Sequence, residues 1–213
     1  LYQFHYPAEI NLAHAVQVGY HETLASAMAI QKYHARNQGG QIGIILNLTP
    51  SYPRDATNPA DVKAAQIADA FFNRSFLDPA VKGEFPADLV AILKDLAILP
   101  DYQSADLAVI KANTVDLLGI NYYQPRRVKA KETPIDHTNG PMPDDFFDNY
   151  DMPGKKVNPY RGWEIYERGI YDILKNVREN YGNIACFISE NGMGVEGEER
   201  YRNADGQIND DYR

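Results

Sequence analysis

The sequence predicts an α/β fold in which parallel strands alternate with helices. Three short runs of continuous apolar residues, at positions 42–48, 115–123 and 184–188, are typical of strands buried on both faces of a parallel sheet. Amphipathic helical stretches lie between these runs. Alternation of this kind favours right-handed helical crossovers between neighbouring parallel strands.

The helices are predicted from apolar or small side chains that recur at helical spacing. They cover residues 11–36, 61–74, 89–96 and 167–180. Gly39-Gly40 follows the first helix and Gly182 follows the last, and glycine commonly ends a helix.

Turn-forming residues separate the later elements. Asp78-Pro79 and residues 83–86 are expected to form turns. Residues 125–158 are rich in Pro, Gly, Asp and Asn and show little periodicity, so we expect a long irregular stretch there. A stretch of that length inside a compact fold is usually functional or disordered.

The composition excludes several classes of function. Lysine and arginine number 21 against 29 aspartates and glutamates, which gives a net charge of −8. Without basic clusters, such a chain is a poor partner for nucleic acid or an anionic membrane. No apolar run approaches the roughly 20 residues that cross a bilayer. Cys186 is the single cysteine, which excludes an internal disulfide and favours a reducing compartment. We therefore expect a cytoplasmic protein that binds neither nucleic acid nor membranes.

Each predicted strand ends in polar residues, and chemistry in α/β folds collects at the carboxyl ends of strands. The first strand reaches Asn47, the second Asn121-Tyr122-Tyr123 and the third Ser189-Glu190-Asn191-Gly192. The ionisation of a carboxylate at such a rim depends on specific partners, and the Tyr123 phenol could donate a hydrogen bond to Glu190. From spacing alone, Glu190 could equally be a loop acid beside an Asn-Gly turn.

Several motifs together resemble family 1 of the glycoside hydrolases, the β-glucosidase family. Residues 187–192 are similar to its nucleophile motif, 118–123 to its sixth-strand motif, 78–86 to the loop before that strand, and 162–171 to the approach to its seventh strand. The tail at residues 192–213 is most similar to the 6-phospho-β-glucosidase branch. The resemblance covers essentially the whole chain.

The resemblance implies a partial (β/α)8 TIM barrel. Residues 1–213 would form one partial barrel with strands five to seven and their helices, from the C-terminal half of a catalytic domain truncated at both ends. The resemblance also implies a bacterial enzyme that hydrolyses β-glucosides by the retaining mechanism. We expect its substrates to carry a phosphate at the 6-position. In that mechanism a nucleophilic carboxylate and an acid/base carboxylate lie roughly 5 to 5.5 Å apart.

The resemblance also assigns roles to individual residues. Glu190 would be the nucleophile, and Tyr123 would hydrogen-bond to it and orient it. Trp163 would form the wall of the aglycone side, although a lone tryptophan is usually only a packing residue. Asn47 and Asn121 would contact the substrate.

Parts of the family pattern lie outside this sequence. The Asn-Glu-Pro-type motif that carries the acid/base glutamate is absent, as are the eighth strand and the loop that grips a sugar phosphate. Glu9, Glu84, Glu132 and Glu164 lie in no motif for the acid/base role. The chain alone is therefore expected to be inactive. A start at Leu1 without methionine and an end at Arg213 after a polar turn also suggest truncation.

We expect no cofactor and no metal. His14 and His21 are seven residues apart, about two helical turns, which is too far for one shared ion without further ligands. The expected partner is a small-molecule β-glucoside or its 6-phosphate. Two alternatives stay open: a β-glucosidase or β-galactosidase acting on unphosphorylated sugars, and a non-catalytic structural or interaction module. Open strand edges would favour self-association in either case.

Overall fold

A computed structural model describes residues 6–136, 138 and 140–209. Its α-helices are α1 (Leu12–Ala35), α2 (Pro59–Asp69), α3 (Ser75–Lys82), α4 (Ala87–Asp95), α5 (Ser104–Ala112) and α6 (Arg168–Asn180). Its strands are β1 (Gly43–Asn47), β2 (Ser51–Pro53), β3 (Leu117–Tyr122), β4 (Arg126–Ala130), β5 (Phe147–Asn149) and β6 (Cys186–Asn191). Of the predicted tail motif, residues 210–213 lie outside the described part of the chain.

The main sheet has three parallel strands in the order β1-β3-β6. Gly43 pairs with Leu117 at one end of the β1–β3 ladder, and Asn47 pairs with Asn121 at the other. The three strands predicted from apolar runs are therefore confirmed, as is their parallel direction. Their carboxyl ends lie at one edge of the sheet, which is where the candidate site is expected.

One face of this sheet packs against helices. The core there consists of Leu48, Leu77, Leu118, Ile120, Tyr122, Ile173, Val177 and Tyr181. The opposite face carries Ile45, Gly119 and Phe187. These three residues are adjacent, since a Cβ atom at Gly119 would contact the side chains of Ile45 and Phe187. Ile45 is 56% exposed and Phe187 is 47% exposed.

The prediction that all three strands are buried on both faces is wrong for β1 and β6 in this chain. Leu118 and Ile120 of the central strand β3 are fully buried. β1 and β6 each have one neighbouring strand among the described residues, whereas β3 has two. The apolar composition of β1 and β6 is therefore typical of a more complete sheet than these residues form.

The first and last helices agree with their predicted ranges. The Asn11 side chain accepts a hydrogen bond from the backbone N–H of His14 at 3.1 Å and caps α1. In α6, Ile173 and Val177 pack into the core of the main sheet.

The predicted turn at Asp78-Pro79 is wrong, because both residues lie inside α3. A π-helical segment, Ala70–Arg74, connects α2 directly to α3. Pro79 therefore lies inside a continuous helical stretch, where it has no backbone N–H to donate to the preceding turn. Asp78 is buried and accepts a hydrogen bond from the Tyr181 hydroxyl at 2.6 Å.

Gly83 ends α3, as part of the turn predicted at residues 83–86. Its φ is +74°, and its N–H donates to the carbonyl of Pro79. A Cβ there would lie 2.7 Å from Lys111 Cα, so the close approach to α5 also requires glycine.

The long irregular stretch predicted at residues 125–158 contains β4 and β5, so that prediction is wrong in part. These strands form a small sheet in the order β2-β4-β5, with β2 parallel and β5 antiparallel to β4. The fully buried Asp61 holds the end of β4 by accepting from Ala130 N at 2.7 Å and from Arg54 Nε at 3.0 Å. Such remote polar partners leave no periodic pattern in the sequence.

Candidate active site

The three polar strand ends lie side by side at the carboxyl edge of the main sheet. Asn47 pairs with Asn121, and Asn121 pairs with Glu190. The register shifts by one residue at this point, because Ile120 pairs with Ile188 while Asn121 pairs with Glu190. Such a bulge inserts an extra residue, and it commonly re-aims side chains next to active sites.

Ser189 is the extra residue, and its hydroxyl donates to Asn121 Oδ1 at 2.7 Å. Asn121 is largely buried, whereas Asn47 and Glu190 are exposed. The sequence therefore placed Asn47, Asn121 and Glu190 correctly at one edge. It gave no sign of the bulge or of the Ser189 contact.

Glu190 accepts a hydrogen bond at Oε2 from the hydroxyl of Tyr123. This is the contact that the strand-end pattern suggested. The hydrogen bond to Glu190 raises the pKa of Tyr123 above its ordinary value, and desolvation and the carboxylate's charge act in the same direction. Tyr123 is therefore a neutral donor throughout the physiological pH range.

Tyr122 points away from Tyr123, since successive residues of a strand face opposite sides of the sheet. The Tyr122 hydroxyl donates to the carbonyl of Tyr166 at 2.6 Å, just before α6. Any side chain at Gly169 would collide with that hydroxyl, so glycine permits this packing. Asn191 Nδ2 donates to the Tyr122 carbonyl at 2.6 Å, which holds the end of β6 beside Glu190. Gly192 follows with φ +131°, a backbone conformation that favours glycine, but no turn forms at this residue.

Trp163 lies against Tyr123, with ring centroids 5.5 Å apart and planes tilted by 50°. Its backbone belongs to a hairpin: Asn158 N donates to Trp163 O at 2.8 Å, and Ile165 N donates to Lys156 O at 2.9 Å. The buried Asn158 side chain donates to Gly194 O at 2.9 Å and ties the hairpin to the segment after β6. Trp163, Tyr123 and Glu190 thus form a continuous group.

The structure also reveals a buried ion pair behind this group that no sequence pattern indicated. Arg127 of β4 donates from Nε to Glu164 Oε2 at 2.8 Å and from its terminal nitrogen to Oε1 at 2.6 Å. The hydrogen bond to Glu164 raises the pKa of Arg127. The two residues are 37 positions apart, so no local spacing links them. The sequence therefore carries no signal that would have paired them.

Other glutamates that lack an acid/base motif have structural partners. Glu164 pairs with Arg127. Glu132 pairs with Arg54 and Lys129 in the small sheet. Glu9 lies 2.8 Å from His14 at the start of α1.

Comparison with known proteins identifies one family and several relatives. The model of glycosyl hydrolase family 1 matches residues 1–213. The chain is 67% identical over 214 residues to the 6-phospho-β-glucosidase GmuD of Bacillus subtilis strain 168, a match that covers 100% of this chain and 46% of GmuD.

Solved structures agree with this match. The virulence factor SghA of Agrobacterium tumefaciens superposes with a TM-score of 0.77 at 29% identity, over 93% of this chain and 43% of SghA. SghA in complex with its substrate analog salicin gives a TM-score of 0.76. The family 1 β-glucosidase of Thermotoga maritima gives 0.80 at 25% identity, over 100% of this chain and 44% of that protein. The chain thus spans less than half the length of each of these relatives.

Proposed function

The chain belongs to glycosyl hydrolase family 1, and we propose that the whole protein containing it hydrolyses β-glucosides with retention of configuration. Glu190 is the nucleophile that attacks the anomeric carbon and forms a glycosyl-enzyme. A second carboxylate protonates the leaving group and then activates the water that releases the sugar. The observation that carries the proposal is the hydrogen bond from Tyr123 to Glu190 at the carboxyl edge of the parallel sheet.

Tyr123 orients the Glu190 carboxylate. One carboxylate oxygen accepts from the phenol, which leaves the other free to approach the sugar. Tyr123 is itself held by the Trp163 ring. Trp163 contributes an aromatic wall for the aglycone, and Asn47 and Asn121 at the same edge contact the sugar hydroxyls.

The sugar carries a phosphate at its 6-position. The 67% identity to GmuD, a 6-phospho-β-glucosidase, supports this choice. SghA, whose substrate analog is salicin, supports the unphosphorylated alternative less strongly, since its identity is 29%. We expect kcat/KM for an aryl β-glucoside 6-phosphate to exceed that for the unphosphorylated glucoside, and the reverse preference would refute the phosphate assignment.

Strands β1, β3 and β6 are the fifth, sixth and seventh strands of an eight-stranded barrel, and residues 1–213 form one part of that catalytic domain. The acid/base residue follows the fourth strand, and the phosphate-binding loop lies near the eighth. The 213-residue chain by itself is therefore inactive. The exposed Ile45 and Phe187 favour a second behaviour for the isolated chain, namely self-association through its open sheet.

The site of action is the cytoplasm, as the composition suggests. In the part of the chain that the structure describes, no helix has both the length and the apolar character of a membrane span.

Glu190→Gln in the full-length protein tests the nucleophile. The substitution keeps the shape of the side chain and the hydrogen-bond geometry but removes the attacking anion, so hydrolysis should be lost while the melting temperature stays close to that of the wild type. Undiminished turnover by this variant would refute the assignment.

A further inference from the structure

Arg127 and Glu164 form the most deeply buried bidentate ion pair near the candidate site. Their side chains are 12% and 7% exposed, and their nitrogens and oxygens approach to 2.6 Å. Burying two charges costs desolvation free energy that their attraction does not reliably recover. Well-packed apolar residues in place of such a pair often stabilise a fold equally well or better. The pair therefore calls for an explanation other than stability.

Aromatic rings fix the orientation of the Arg127 guanidinium. Its central carbon lies 4.8 Å from the Tyr166 ring centroid and 5.4 Å from that of Tyr52. The two rings meet edge to face at 5.4 Å. The Tyr52 hydroxyl donates to Asp172 Oδ2 of α6 at 2.7 Å. The guanidinium is thus held between β2, β4 and the start of α6, and it presents a fixed pair of donors to Glu164.

Because Glu164 directly follows Trp163, its fixed side chain also restrains the position of Trp163. Glu164 forms an antiparallel bridge with Val157 across the hairpin. Neighbouring residues in extended chain point to opposite sides, so anchoring Glu164 inward holds Trp163 on the side of Tyr123. The backbone N–H of Glu164 also donates to Gln124 Oε1 at 3.3 Å, and Gln124 directly follows Tyr123. Both partners of the Trp163–Tyr123 contact are therefore connected, through their chain neighbours, to Glu164.

We propose that the Arg127–Glu164 ion pair is a positioning device that holds Trp163 against Tyr123 and thereby sets the selectivity of the enzyme among aglycones. This inference rests on the proposed function, in which Trp163 lines the aglycone side. Neither Arg127 nor Glu164 contacts the substrate. They act through the placement of Trp163.

The two steps of the retaining reaction separate this role from a structural one. In the first step Glu190 attacks the anomeric carbon and the bond to the aglycone oxygen breaks, with the aglycone still beside Trp163. In the second step water hydrolyses the glycosyl-enzyme after the aglycone has left. A displaced Trp163 should therefore impair the first step only. Loss of folded enzyme would lower the rates of both steps together.

The experiment uses the full-length protein and a series of aryl β-glucosides, with and without 6-phosphate, that differ in aglycone size and leaving-group ability. Glu164→Gln removes the negative charge of the pair and leaves the Arg127 charge unpaired. The double variant R127M/E164M replaces both charges with flexible apolar chains, which conserve stability without fixing a direction. Asp61→Asn is the matched control, because it neutralises a fully buried carboxylate of α2 that pairs with Arg54 and accepts from Ala130 N at the end of β4, and none of these partners belongs to the Trp163 hairpin.

We expect kcat/KM for bulky aglycones to fall by about tenfold to a hundredfold in both pair variants, which is the range for a misplaced contact at a reacting substrate. For poor leaving groups, where the first step limits turnover, kcat should carry most of this change. With the best leaving groups, where the second step limits turnover, kcat should stay at the wild-type value. Asp61→Asn should lower the melting temperature and leave the ratio of kcat/KM values between aglycones unchanged.

A uniform fall in kcat for every aglycone in the pair variants would overturn the proposal, because it would indicate only a loss of folded enzyme. Unchanged aglycone selectivity in a folded R127M/E164M protein would overturn it as well, and so would altered selectivity in Asp61→Asn. A wild-type protein that hydrolyses none of the glycosides would instead remove the proposed function, and this inference with it.

Discussion

Replacing Tyr123 with phenylalanine removes the hydroxyl that donates to Glu190. The ring remains, so its contact with Trp163 should persist. A hydrogen bond to a charged group contributes about 1.5 to 3 kcal/mol. Each 1.36 kcal/mol corresponds to about a tenfold change in rate. If this hydrogen bond contributes its full free energy to stabilising the transition state, kcat/KM of the full-length enzyme should fall by roughly ten- to a hundredfold.

Tyr122→Phe is the matched control, because it removes the adjacent phenol hydroxyl, which donates to the Tyr166 carbonyl at 2.6 Å and not to Glu190. It should lower the free energy of unfolding by about 1 kcal/mol and leave kcat/KM close to the wild-type value. The assay is steady-state hydrolysis of an aryl β-glucoside or its 6-phosphate, with thermal unfolding of each variant. Equal losses of kcat/KM in the two variants, or none with Tyr123→Phe, would refute the orienting role of Tyr123.

Two further predictions concern stability and association. Burial by itself would raise the pKa of Asp148, but hydrogen bonds from Thr133 and Glu132 and the Lys131 ion pair lower it below the usual 3.8. The resulting stabilisation exists above pH 3.8 and is lost as the pH falls below it. The melting temperature of Asp148→Asn should therefore depend less on pH than that of the wild type between about pH 2 and 6. Melting temperatures of the two proteins that fall in parallel over this range would contradict the prediction. The isolated 213-residue chain should self-associate through the open sheet, and Ile45→Lys should reduce that association in sedimentation; a monodisperse wild-type monomer with a cooperative melt would count against it.

The main sheet and the site at its edge could be predicted because their signals are local. A parallel strand is a continuous apolar run, and the polar residues after it necessarily reach the same edge as those of its neighbours. For this reason Asn47, Asn121 and Glu190 could be placed together, with Tyr123 within reach of Glu190. The resemblance to a family then supplied the roles that the residues alone left open.

The features that the sequence did not reveal depend on remote partners. β4 and β5 are short and polar, and Asp61 and Asp148 hold them through hydrogen bonds to distant backbone groups. Asp78-Pro79 reads as a turn, yet α3 continues through it because Tyr181 binds the Asp78 side chain from more than a hundred residues away. The predicted burial of the two outer strands was wrong for a different reason. The apolar residues of β1 and β6 match a fuller sheet than the described chain forms.

The central claim, that Glu190 is the nucleophile, is tested most directly by trapping the glycosyl-enzyme. A 2-deoxy-2-fluoro aryl glucoside with a good leaving group, supplied with and without 6-phosphate, forms the covalent intermediate and slows its hydrolysis. Peptide mass spectrometry of the full-length protein should then locate one sugar on Glu190. A sugar on any other carboxylate, or turnover of the probe's parent glycoside with inverted product and no labelled peptide, would contradict the account.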